Sequence, residues 1–103
     1  MAVAFMFRVS GLDQAGYDRI MEDLSQRAGG SFAGPGFLAH LAGPTDDGGW
    51  RVIDVWESEE AANAFYGSDA FGAVREGTAD MGLESTPWPL HRTEIFGAFS
   101  QTT

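Results

Sequence analysis

The chain has 103 residues, 44% of them hydrophobic, with three Trp, eight Phe and no Cys. That is the composition of one globular domain spanning 1–103, and the lack of Cys excludes disulfides, thiolate catalysis, iron–sulfur clusters and Cys-based zinc sites. Six Arg, no Lys and fifteen acidic residues give a net charge of −9, which speaks against nucleic acid and anionic membranes as partners.

The opening residues Met1 to Phe5 lack the basic stretch that begins a signal peptide. No apolar run approaches the ~20 residues of a membrane span, so a cytoplasmic protein is expected. Val3 to Val9 is rich in β-formers and apolar on both faces as far as Arg8, which predicts a central strand covered on both sides. Ser10-Gly11-Leu12 makes a turn, and Asp13 is placed to cap a helix. Tyr17, Ile20, Met21, Leu24 and Ala28 recur at helical spacing and form one buried stripe. Asp18, Arg19, Glu22, Asp23 and Gln26 take the wet face, and Gly29-Gly30 is expected to stop the helix.

A Gly/Pro-rich loop follows from Ser31 to Gly36, then a second strand from Phe37 to Ala42. Residues 43–49 hold a dense turn signal, and Trp50 to Glu57 reads as the third strand. Ser58 caps a short Ala-rich helix to Tyr66, with Glu59 and Glu60 at the positive end of its dipole. Gly67-Ser68-Asp69 interrupts that helix, and further helical turns run from Asp69 to about Gly77. Gly77, Gly82, Pro87 and Pro89 mark residues 77–89 as irregular, and His91 to Phe99 reads as the last strand.

The order is β-α-β-β-α-β. It predicts an α+β, ferredoxin-like fold, a four-stranded antiparallel sheet with helices on one face. The other face also reads as apolar, so a second cover is expected. A face-to-face homodimer closing two sheets into an α+β barrel would supply it.

Trp56-Glu57-Ser58-Glu59-Glu60, followed by Phe65 and Ser68-Asp69-Ala70-Phe71, resembles the antibiotic-biosynthesis-monooxygenase-like family of the dimeric α+β barrel superfamily. The resemblance implies a dimer with a pocket between sheet and helices in each subunit. It implies one of several chemistries: cofactor-free oxygenation of aromatic polyketides, haem degradation, cyclisation or isomerisation. The haem-degrading branch is disfavoured. Its catalytic Trp would fall at Phe65 and its iron-binding His at Arg75, whose guanidinium stays protonated. Its first-strand Asn has no counterpart among Val3 to Val9.

His40 and Asp54 are the residues best suited to chemistry. In one register of the hairpin they lie opposite each other on the same face, with Leu38 opposite Trp56. A slip of one residue would separate them. An imidazole held in one tautomer by a carboxylate, beside an indole, suits general-base removal of a proton from a phenol or an acidic C–H. The same pair would equally serve to satisfy two polar groups in an apolar sheet. Trp56, Tyr66, Trp88, His91 and Arg75 are the candidate substrate-binding residues. Tyr17 and Phe65 could also line an aromatic cavity, although their helical spacing equally fits ordinary core. His91 could stand at a pocket mouth or at a solvated strand start. Arg75 and Arg8 could bind an anionic oxygen or pair with carboxylates.

Two distant His with one nearby carboxylate make a weak metal signature, and no metal is expected. No dinucleotide fingerprint, P-loop, nucleophile elbow or zinc-protease motif is present. The expectation is therefore an enzyme without metal or cofactor, either a monooxygenase or a cyclase, acting on a small aromatic or polyketide-like molecule. The alternative is a non-catalytic dimeric module that binds a small ligand or serves a structural role.

Overall fold

The computed structural model describes residues 1–28 and 34–97. Four strands and three helices follow in the order β1 (Val3–Ser10), α1 (Gln14–Arg27), β2 (Phe37–Pro44), β3 (Gly49–Trp56), α2 (Glu59–Tyr66), α3 (Asp69–Gly77) and β4 (Glu84–Pro89). The strands form one antiparallel sheet in the order β2-β3-β1-β4. This is the expected α+β, ferredoxin-like arrangement, with the crossover after β3 built from two short helices.

Local chemistry sets the helix ends. Asp13 accepts from the Gly16 N–H at 2.8 Å, Ser58 from Ala61 at 3.1 Å and Ser68 from Phe71 at 3.4 Å. Each satisfies a first-turn donor that the helix itself cannot. Ser68 also donates to the Phe65 carbonyl at 2.6 Å, which fixes the break between α2 and α3. The stop expected at Gly29-Gly30 and the first half of the loop 31–36 lie outside the described residues. Gly36 leads into β2 at φ +85°, where an added Cβ would stand 2.9 Å from the Ala61 Cβ. Both the backbone angle and the space demand glycine there.

The register between β1 and β3 puts Val3, Phe5, Phe7 and Val9 opposite Trp56, Asp54, Val52 and Trp50. These alternate residues face the helices. Their packing forms two apolar clusters. One joins Val3, Trp56 and Ala62 with Phe5, Phe37, Phe65 and Tyr66; the other joins Val9, Leu12 and Trp50 with Tyr17, Ile20, Val52, Met81 and Leu83. The opposite face carries Ala4, Met6, Leu41, Ile53, Val55 and Trp88 by alternation, with Leu41 and Trp88 more than half exposed. No element among the described residues covers that face.

Two expectations are corrected. The last strand is Glu84–Pro89, not His91 to Phe99: residues 91–97 form no strand, and 98–99 lie outside the described residues. Pro87 and Pro89 did not prevent a strand because β4 pairs with β1 alone, at the sheet edge. Two residues apart, they direct their missing N–H toward the same open edge. The second correction concerns Leu38. His40 does pair with Asp54, but a bulge between Phe37 and Ala39 places Phe37, not Leu38, opposite Trp56. The bulge turns Phe37 toward the helices, where its ring stacks on Trp56 at 4.5 Å.

Candidate active site

Between sheet and helices lies a cavity of about 70 Å³, several times the roughly 10–15 Å³ that one water requires. The sheet contributes Phe7, Val9, His40, Val52 and Asp54; α1 contributes Tyr17, Ile20, Met21 and Leu24; α2 and α3 contribute Phe65, Phe71 and Val74. An apolar wall with a few polar groups is the lining of a small-molecule site, here in a cavity well below the roughly 300–1,000 Å³ of a drug-sized pocket. Those groups are Tyr17, His40, Asp54 and Thr78. Thr78 is buried and donates its hydroxyl to the Val74 carbonyl at 2.9 Å.

The polar groups belong to a chain of hydrogen bonds whose direction follows from donor and acceptor capacity. The Trp56 indole can only donate, and it gives its N–H to the Tyr66 oxygen at 2.9 Å. Tyr66 then gives its proton to Asp54 Oδ2 at 2.9 Å. Asp54 Oδ1 accepts from His40 Nδ1 at 2.6 Å. With its proton on Nδ1, His40 presents Nε2 as an acceptor, and the Tyr17 hydroxyl donates to it at 2.5 Å. Every donor therefore points toward Asp54, which is only 6% exposed. Two donors meet this carboxylate, so its burial is compensated.

Rings hold the chain in place. Tyr17 lies parallel to His40 and stacks on Trp50 at 5.2 Å. Phe37 meets the His40 ring edge-on. Tyr66 makes edge contacts with Phe5, Phe7, Trp56, Phe65 and Phe71. Burial, then the negative charges of Asp54 and Asp18, push the Tyr17 phenol from its ordinary 10.0 up to about 12. Burial and the Asp54 carboxylate push Tyr66 well above the ordinary tyrosine range, against a smaller opposing effect of the Trp56 hydrogen bond. Both phenols keep their protons at neutral pH.

The structure brings together only some of the residues singled out from sequence. His40 and Asp54 meet at the cavity wall. Trp56 and Tyr66 do not line the cavity; they stand behind Asp54 and anchor it. Trp88 lies on the opposite face of the sheet, where it pairs with Ala4. His91 is exposed beyond the end of β4. Arg75 donates to the Tyr66 carbonyl at 2.8 Å and covers the Phe71 ring, so it ties α3 to α2 outside the cavity. Arg8 pairs with Asp47. Tyr17 and Phe65, read at helical spacing as possible core, both line the cavity. Thr78 had no signal in the sequence. Among the described residues no group of three or more His, Asp or Glu is placed to hold a metal ion. No helix among them is long and apolar enough to cross a membrane.

Comparison with known proteins adds the following. The model of the family described as antibiotic biosynthesis monooxygenase matches residues 3–77. No curated protein matches the sequence. The fold is similar to that of Rv0793 from Mycobacterium tuberculosis, with a TM-score of 0.72 and 15% identity over 91% of this chain and 100% of that one. It is similar to SnoaB, a cofactor-independent oxygenase from Streptomyces nogalater, with a TM-score of 0.66 and 16% identity over 89% of this chain and 95% of that one. A protein of unknown function from Nitrosomonas europaea, NE2512, gives a TM-score of 0.70 at 15% identity over 94% and 96% of the two chains. Identities this low establish a shared fold.

Proposed function

The chain belongs to the antibiotic biosynthesis monooxygenase family, and we propose that it is a cofactor-independent enzyme acting on an aromatic or polyketide-like small molecule, with His40 as general base and Asp54 as the group that orients it. Family membership supports a monooxygenase-like function in outline. One observation carries the rest. The imidazole is anchored through Nδ1 by a buried carboxylate and turns its basic nitrogen to the hydroxyl of Tyr17, at the wall of an apolar cavity. Asp54 fixes the tautomer and stabilises the imidazolium that forms on proton uptake.

The chemistry follows from that base. Removing a proton from a phenol, or from the methylene of an anthrone, leaves an electron-rich anion that reacts with dioxygen. Oxidation of the methylene to a carbonyl places one oxygen atom in the product. The other leaves with the two displaced hydrogens as water. The walls Phe7, Phe65 and Phe71 suit an aromatic ring. The uncovered apolar sheet face fits a second copy of this chain, and the proposal includes a homodimer closed through it.

Oxygen uptake by the metal-stripped protein tests the function, using anthrone and hydroxynaphthalene as surrogates. The wild type should consume oxygen and yield the quinone. His40→Ala should lose about 10²–10⁴-fold in turnover, the usual contribution of a positioned acid or base, while remaining folded. Full turnover in a folded His40→Ala protein would refute the assignment. Conversion of the surrogate without oxygen uptake would make the enzyme a cyclase or isomerase instead.

A further inference from the structure

The hydrogen-bond chain has two ends with different properties. Its inner end is the Trp56 indole, which has no acceptor site and no route to the cavity. Its outer end is the Tyr17 oxygen, which has given its own proton to His40 Nε2 and keeps lone pairs that can accept another. Since every donor points toward Asp54, the network can take up a proton only from the Tyr17 side. Tyr17 lines the cavity and its hydroxyl occupies Nε2, so an incoming hydroxyl has no access to bare imidazole. Tyr17 is part of the cavity wall, held between the His40 ring and Trp50. Thr78, the other hydroxyl at the wall, points its proton at a backbone carbonyl and has no base behind it.

We propose that Tyr17 is a catalytic residue, its hydroxyl meeting the ionisable hydroxyl of a phenolic substrate and passing the proton on to His40. As the substrate O–H bond breaks, its proton joins the Tyr17 oxygen. As the Tyr17 O–H bond breaks, that proton joins Nε2. The products are a substrate phenolate, a neutral tyrosine and an imidazolium paired with the Asp54 carboxylate. Net charge is unchanged, the phenolate being balanced by the imidazolium, and Tyr17 is never left ionised. The proposal rests on the reading of His40 as base. It narrows the substrate class to molecules that present a phenolic or enolic hydroxyl at the Tyr17 end of the cavity.

Two measurements test it, and one is independent of turnover. The first uses 4-nitrophenol, whose absorbance reports its own ionisation, at a pH where the free phenol is neutral. The wild type should bind it as phenolate. Tyr17→Phe, which keeps the ring and its stacking, should bind it with affinity within a few fold but as neutral phenol. Binding as phenolate by Tyr17→Phe, or as neutral phenol by the wild type, overturns the proposal. So does an absence of binding to the wild type.

The second measurement is turnover of a hydroxynaphthalene surrogate. Tyr17→Phe should lose roughly as much kcat as His40→Ala, with KM little changed, and the double variant should be no worse than either single one, as for residues acting as a unit. Undiminished kcat in Tyr17→Phe with loss in His40→Ala would mean that Tyr17 is a displaceable cover. That result overturns this proposal and leaves His40 as the base. Ionisation of nitrophenol in a protein that consumes no oxygen would do the reverse: the proton relay stands and the oxygenase reading fails.

Discussion

Replacing Tyr66 by Phe removes one oxygen and two hydrogen bonds while keeping the ring that packs among Phe5, Phe7, Phe65 and Phe71. The first loss strands the indole N–H of Trp56, which is 0% exposed. Stranding a buried donor costs about 1–3 kcal/mol. The second removes a donor from the Asp54 carboxylate, a bond to a charged group worth about 1.5–3 kcal/mol. Asp54 keeps its His40 partner, and the variant no longer has a phenol to desolvate, so the two losses do not sum in full. A net loss of about 2–4 kcal/mol is expected. In a domain of this size that lowers Tm by on the order of 10–30 °C. Tyr17→Phe is the comparison. It removes a donor from a His40 side chain that is 20% exposed, where water can substitute, and should cost only about 0.5–1.5 kcal/mol. Urea unfolding at one fixed protein concentration measures both, since any self-association makes stability concentration-dependent. A Tyr66→Phe protein as stable as Tyr17→Phe, or within about 0.5 kcal/mol of wild type, well below the expected loss, would refute the chain of bonds through Tyr66.

Three further outcomes are expected. The raised phenols of Tyr17 and Tyr66 hold protons in the folded state that the unfolded chain loses above pH 10.0. Unfolding free energy should therefore be flat below that value and fall as pH rises toward about 12; a urea midpoint unchanged between about pH 9, below that window, and about pH 11.5, inside it, would contradict the burial of both hydroxyls. Trp50 is 8% exposed, and its indole N–H has no partner among the described residues. Trp50→Phe should accordingly cost less than about 1.5 kcal/mol, because the smaller ring removes a stranded donor along with some packing; a loss above about 3 kcal/mol, the scale of full truncation to Ala, would show that the donor is satisfied. Leu41, 55% exposed on the uncovered sheet face, would be buried by a second copy of the chain. Leu41→Glu should weaken self-association at least ~100-fold by placing a charge in an apolar interface; sedimentation showing an unchanged dimer would exclude that face.

How much of this was legible in the sequence differs from residue to residue. The register that joins His40 to Asp54 was legible only as one of the few that strand alternation and a short Gly-rich turn allow, since nothing in the residues forbids a slip by one. The bulge at the start of β2 could not, since its cause is the fit of Phe37 against Trp56, a contact set by the finished core. β4 was hidden by Pro87 and Pro89, which break a central strand but are harmless on an open edge. The apolar pattern after His91 then drew the expected strand too far along the chain. The part of Tyr17 was also out of reach. Its spacing places it on the buried stripe of α1, but meeting His40 across 23 residues of sequence depends on where the helix lands on the sheet. Tyr66 and Trp56 show the same limit from the other side. Their residue types suggested an aromatic wall, whereas tertiary placement made them donors behind Asp54.

The direction of every bond in the chain rests on His40 carrying its proton on Nδ1 and leaving Nε2 bare. Nitrogen NMR of the protein labelled with 15N-histidine measures this directly, with exposed His91 as the internal reference. A neutral His40 with a protonated Nδ1 and an unprotonated, hydrogen-bond-accepting Nε2 is the predicted result, the latter signal shifting in Tyr17→Phe. A neutral His40 protonated on Nε2 would contradict the account, because the base would then face Asp54 instead of Tyr17.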